Sequence, residues 1–128
     1  MALHVRLIQY DLIENQEKVI AEGEAQWKED HLFYWEDPAR TVMHHIRFGK
    51  DAIIIGRSAD VRSMTKLYFG RHGTAQVFSE YGVMRFETEL VEYEYSAEYR
   101  SVEYRVFQGN ELVSHQRMVW ELEDDPDE

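Results

Sequence analysis

The chain has 128 residues, with 14 lysines and arginines against 25 aspartates and glutamates, a formal net charge of −11 and no cysteine. That length is one domain with enough buried surface to fold without a metal or a cross-link, and the missing cysteine excludes disulfides, thiol catalysis and iron–sulfur ligation. The charge argues against nucleic acid and anionic membrane surfaces, which are held mainly by Lys and Arg. No apolar run has the length of a membrane span. Charge near the start (His4, Arg6) reads against a signal peptide, and with the absence of cysteine it favours the cytoplasm.

From Leu3 to Leu122 apolar and polar residues alternate with a period near two, and no stretch holds a helical period. In chain order, strands are predicted over 3–13 and 18–27, separated by Glu14-Asn15-Gln16-Glu17. Lys28-Glu29-Asp30 leads to a short aromatic strand, Leu32-Phe33-Tyr34-Trp35, and then to the loop Asp37-Pro38-Ala39-Arg40. Strand 41–48 turns at Gly49-Lys50-Asp51 into 52–55, and Ser58-Ala59-Asp60 turns into 62–69. Gly70-Arg71-His72-Gly73 turns into 74–79, and Tyr81-Gly82 into a long strand over 83–95. Ser96-Ala97-Glu98 leads to 99–107, and Gln108-Gly109-Asn110-Glu111 closes the last hairpin with 112–122.

These elements specify an all-β domain, a single closed antiparallel up-and-down barrel of 8–10 strands spanning residues 1–122. Residues 123–128 read as an acidic, solvated tail; Glu121–Glu128 hold six acidic residues. Two strands carry a flip of apolar phase, from Leu3, Val5, Leu7 to Ile8, Tyr10, Leu12, and from Met84, Phe86, Leu90 to Val91, Tyr93, Tyr95. Such flips require a bulge or a strong bend. Strand two offers Val19, Ala21, Gly23, Ala25 and Trp27 to the inside. His44, Thr88, Ser114 and Gln116 stand among apolar inward neighbours, where they must pair with one another or line a wet cavity.

The segment Ile53-Ile54-Ile55-Gly56-Arg57, then Asp60-Val61-Arg62-Ser63-Met64-Thr65-Lys66-Leu67-Tyr68-Phe69-Gly70, then Ser79-Glu80-Tyr81-Gly82-Val83-Met84 with Thr88 beyond, resembles the YwiB-like family of small bacterial proteins of unknown function. The Gly23-to-Trp35 segment and the closing hairpin also fit, so the resemblance runs nearly end to end. Ala59 stands where that family usually has glycine, and Ser79-Glu80 where it usually has Thr-Pro. The resemblance implies a calycin (lipocalin-like) barrel, a bacterial cytoplasm and a small-molecule pocket, and it brings no catalytic residues.

No candidate chemistry stands out. Adjacent His44 and His45 point to opposite faces of a strand and cannot share an ion. Inward His44 reads as a hydrogen-bonded core histidine or a ligand contact, and His45 as surface. Glu87 and Glu89 lie opposite the apolar set and read as solvated. Gly70–Gly73 lacks the strand–loop–helix setting of a phosphate loop. Arg57 closes one end of the barrel or meets an anionic ligand.

No catalytic residue, cofactor or metal is therefore expected. The favoured reading is a non-enzymatic protein holding a small, mostly apolar ligand in a cavity lined by Trp27, His44, Arg57, Phe86, Thr88, Ser114, Gln116, Met118 and Trp120. The alternative is an interaction or structural module, in the form of a homodimer, built on outward Phe33, Trp35, Tyr99 and Phe107.

Overall fold

A computed structural model describes residues 3–124, and among them there is no helix. Ten strands follow one another: β1 Leu3–Asp11, β2 Gln16–Lys28, β3 His31–Trp35, β4 Met43–Phe48, β5 Ala52–Ser58, β6 Arg62–Tyr68, β7 Arg71–Ser79, β8 Gly82–Tyr95, β9 Tyr99–Gln108 and β10 Glu111–Asp124. Each pairs antiparallel with its neighbours in sequence, and β1 pairs with β10 from Leu3↔Asp124 to Asp11↔Gln116, closing the barrel. The expected all-β up-and-down barrel is the observed architecture. The last strand runs two residues past the expected boundary, so Glu123 and Asp124 belong to β10, while 125–128 lie outside the described residues. Among the described residues no helix is long and apolar enough to cross a membrane.

Alternation sets the inside. Leu32, Ile46, Ile53, Leu67, Val102, Trp120, Val5 and Leu7 are fully buried and fill the lower and middle lumen. The expected flip on β8 occurs at a register shift between Leu90 and Glu92, which leaves Val91 half-exposed and turns Tyr93 inward. The flip expected on the first strand is realised differently. The register shifts between Leu7 and Ile8, but the extra residue is Ile20 on β2. β1 therefore keeps its phase and turns Gln9 inward, opposite Met118. Val19, read from sequence as inward, pairs with Ile8 outside and is exposed.

One end of the barrel is plugged. Arg100 sits opposite Trp120 and Tyr95, with its guanidinium 5.4 Å from the Trp27 ring centre, 5.6 Å from Phe48 and 4.9 Å from Tyr95. Cation–π contact holds it there, and Nη1 donates to the Ser96 carbonyl at 3.3 Å. The other end is the mouth, where the loops after β1, β3, β5, β7 and β9 gather. The wall has one thin seam. β2 pairs with β3 only from Ala25↔Tyr34 to Lys28↔His31, so its length from Gln16 to Glu24 is paired on the β1 side alone.

Candidate functional site

Registry builds the site. Tyr34 on β3 lies directly opposite His44 on β4, and His44 directly opposite Arg57 on β5. Directly opposed residues share a face, so three polar side chains stand abreast on the inner wall. Below them is a row of aliphatics: Leu32, Ile46 and Ile55. Glu36, one residue past β3, reaches back over this row.

These groups form one directional chain. Trp120 Nε1 donates to the Tyr34 hydroxyl oxygen at 2.7 Å. An indole can only donate, so the Tyr34 proton is left to face His44 Nδ1 at 3.1 Å. His44 then carries its proton on Nε2 and donates to Glu36 Oε1 at 3.0 Å. Arg57 closes the chain with Nε to Oε1 at 3.2 Å and Nη2 to Oε2 at 3.1 Å. Every member is satisfied when His44 is neutral and Glu36 is ionised. That explains how His44, 3% exposed, survives in an apolar lumen.

The electrostatics agree. Burial pushes the Tyr34 phenol far up, with the Trp120 bond opposing. Burial also lowers His44 against the pull of Glu36. For Glu36, burial raises the carboxyl, but hydrogen bonds and charge from Arg57 and His44 outweigh it and hold it below the usual range. Both shifts carry one sign. A histidine or a carboxylate with a lowered folded pKa gives stability that is whole above its unfolded pKa and is lost on acidification toward the folded one. Stability should therefore begin to fall below pH 6.5 as His44 is drawn to protonate, and fall again below pH 4.5 through Glu36. Melting curves from pH 8 to 4 check this; in His44→Asn the upper step should shrink to the part left by His45, whose imidazole is also lowered by burial and by nearby His31, and the lower step should remain.

Above this floor the lumen is open. A cup of about 420 Å³ is lined by Gln9, Lys18, Glu36, His44, Arg57 and Gln116, with Ile20, Ile55, Tyr104 and Met118 as its apolar share. Gln9 donates to Gln116, and Gln116 donates to Ser114 Oγ at 3.1 Å. Arg57 is tied to Glu36, whereas Lys18 makes no ion pair among the described residues. A second hollow of about 550 Å³ lies at the seam, between Glu24–Trp27 and Trp35, Arg40 and Met43. No group of three or more metal-ligating side chains occurs among the described residues.

Of the residues expected to line a cavity, His44, Arg57, Gln116 and Met118 meet in the cup, and Ser114 stands beside it. Trp120 is fully buried beneath the floor and enters through its indole N–H. Trp27 lies at the plugged end under Arg100, because Ala25 already marks the level of Tyr34 and β2 continues away from the mouth. Phe86 pairs with Ala75 on the far wall. Thr88 is 0% exposed and donates to the Lys66 carbonyl at 2.7 Å, so it ties β8 to β6. Sequence reading missed Glu36, Tyr34 and Lys18. Phe33, Trp35, Tyr99 and Phe107 do not form one surface: the first two are on β3, the others at opposite ends of β9, with β2, β1 and β10 between.

No family model matches the chain, and no curated protein matches it. A solved structure does. The crystal structure of ywiB protein from Bacillus subtilis is similar with a TM-score of 0.61 and 16% identity, over 97% of this chain and 90% of that one. The likeness is one of fold. It supports a YwiB-like barrel fold, does not bear on the calycin (lipocalin-like) assignment, and assigns no activity to the cup.

Proposed function

We propose that the protein is a non-enzymatic carrier of a small amphipathic molecule with an anionic head, held head-down in the cup. The observation that supports this is a lumen filled below and open above a fully satisfied polar floor, with Lys18 as the cation in the lining that has no ion partner among the described residues. The ligand first expected was mostly apolar. The lining favours one with a polar end, because a hydrocarbon would leave the Lys18 ammonium without a partner, Gln9 and Gln116 being bonded to each other and to Ser114. Binding is favoured over chemistry because both ring nitrogens of His44 are engaged and the Tyr34 proton is held by burial. Apolar side chains exposed at the mouth end, Val61, Tyr81 and Met84, suit the tail.

Thermal melting against eight-carbon compounds tests the proposal. A carboxylate or phosphate at 100 times its Kd should add about 2.7 kcal/mol of stability. An alkylamine of equal length should add nothing. Lys18→Met should weaken carboxylate binding about tenfold or more, the loss of one charged hydrogen bond. No shift with any compound, or the same shift in Lys18→Met, would overturn the proposal.

A further inference from the structure

The outward face of the β3–β4 pair holds a second site, unrelated to the cup. Phe33 lies directly opposite His45, and His31 directly opposite Arg47. His31 and His45 are thus diagonal neighbours on one face, and His31 Nδ1 meets His45 Nε2 at 2.6 Å. Strand geometry forbids His44 and His45 from sharing an ion, but it brings His45 to a different histidine. We propose that His31 and His45 chelate a borderline divalent transition ion of the zinc type, with water completing the shell.

Three further contacts prepare the pair. His31 Nε2, the nitrogen not facing His45, lies 3.3 Å from Asp30 Oδ1. That is the carboxylate–histidine arrangement which fixes a ligating imidazole's tautomer and raises its basicity. Asp30 is itself held by Arg47 Nε at 3.3 Å. The Phe33 ring stacks on His45 with centroids 4.3 Å apart and planes 17° apart, which sets that ring's orientation. Without an ion, one imidazole donates to the other. With one, the His45 proton moves to Nδ1 and two lone pairs converge. Two imidazole nitrogens at about 2.0–2.1 Å from a tetrahedral zinc stand about 3.3 Å apart, so the pair, now at 2.6 Å, must open by about 0.7 Å, a side-chain rotation on the exposed face. Imidazole is a ligand that zinc and copper accept readily. The positive Arg47 guanidinium nearby opposes binding, and its bond to Asp30 draws it away.

Zinc chloride titrated into the full chain, followed by imidazole proton NMR of its six histidines, is the test. The expected result is saturation at one equivalent, with His31 and His45 signals moving together and His44 unmoved. His31→Asn and His45→Asn should each weaken zinc at least about tenfold, and Asp30→Asn by about tenfold, the usual effect of losing such a carboxylate. His72→Asn should leave binding unchanged. Equal binding by His31→Asn, His45→Asn and the unmodified chain would overturn the site, as would resonances that shift without the pair among them. All four positions are on the outer surface, so the variants keep the barrel.

Discussion

Tyr34→Phe is expected to destabilise the barrel by about 2–4 kcal/mol, since it strands two buried polar groups that lose about 1–3 kcal/mol each. The phenol oxygen is the acceptor for Trp120 Nε1 and the donor toward His44 Nδ1. Trp120 is 0% exposed and His44 3%, so neither can turn to bulk water. Urea midpoints measure the effect. The double variant Tyr34→Phe/Trp120→Phe isolates its cause: removing the orphaned N–H should recover part of the loss, apart from the smaller ring's own packing deficit. A loss in the single variant below about 0.5 kcal/mol would show that the chain does not depend on this hydroxyl.

Gly73→Ala should cost about 3 kcal/mol, at or beyond the upper end of ordinary overpacking. A Cβ there would stand 2.1 Å from the Lys66 carbonyl oxygen and 2.8 Å from Thr88 Oγ1. The obstacle is backbone on one side and, on the other, a hydroxyl already bonded to that same carbonyl. Neither can step aside without opening the β6–β7 register shift between Lys66 and Tyr68. Gly56→Ala is the control, because its Cβ would meet nothing nearer than the His45 carbonyl oxygen at 3.3 Å. It should cost about 1 kcal/mol or less. Comparable losses at the two positions would show that space around Gly73 is not what selects glycine there.

The barrel was legible in the sequence because two signals agree. Alternation names the inner face, and Gly49, Gly70, Gly82 and Gly109 fall at or beside hairpin turns; Gly109 takes φ 62° in the β9–β10 connection, where a side chain would be strained. Inward His44 and Gln116 were legible for the same reason. Glu36 was not, because it lies one residue past its strand beside Asp37-Pro38, where a carboxylate reads as an ordinary loop charge. Lys18 falls on the outer face when Val19 is read as inward; the bulge at Ile20 reverses that phase and turns it in. Arg100 was missed because an arginine in a strand is normally outward; only three converging aromatic rings make the inward position favourable. Trp27 was placed on the correct face but at the wrong height, since alternation gives direction and says nothing of depth.

The circular strand order also bears on how the chain reaches its native state. Nine of the ten pairings join strands that are adjacent in sequence and can zip as local hairpins. The β1–β10 pairing instead ties ends separated by over 100 positions, an entropic penalty of about 4 kcal/mol for a flexible loop of that length. That penalty shrinks as the intervening hairpins stiffen the path between the ends. The β1–β10 closure, the pairing that also seats Trp120 under Tyr34, therefore carries the long-range entropy cost of the fold.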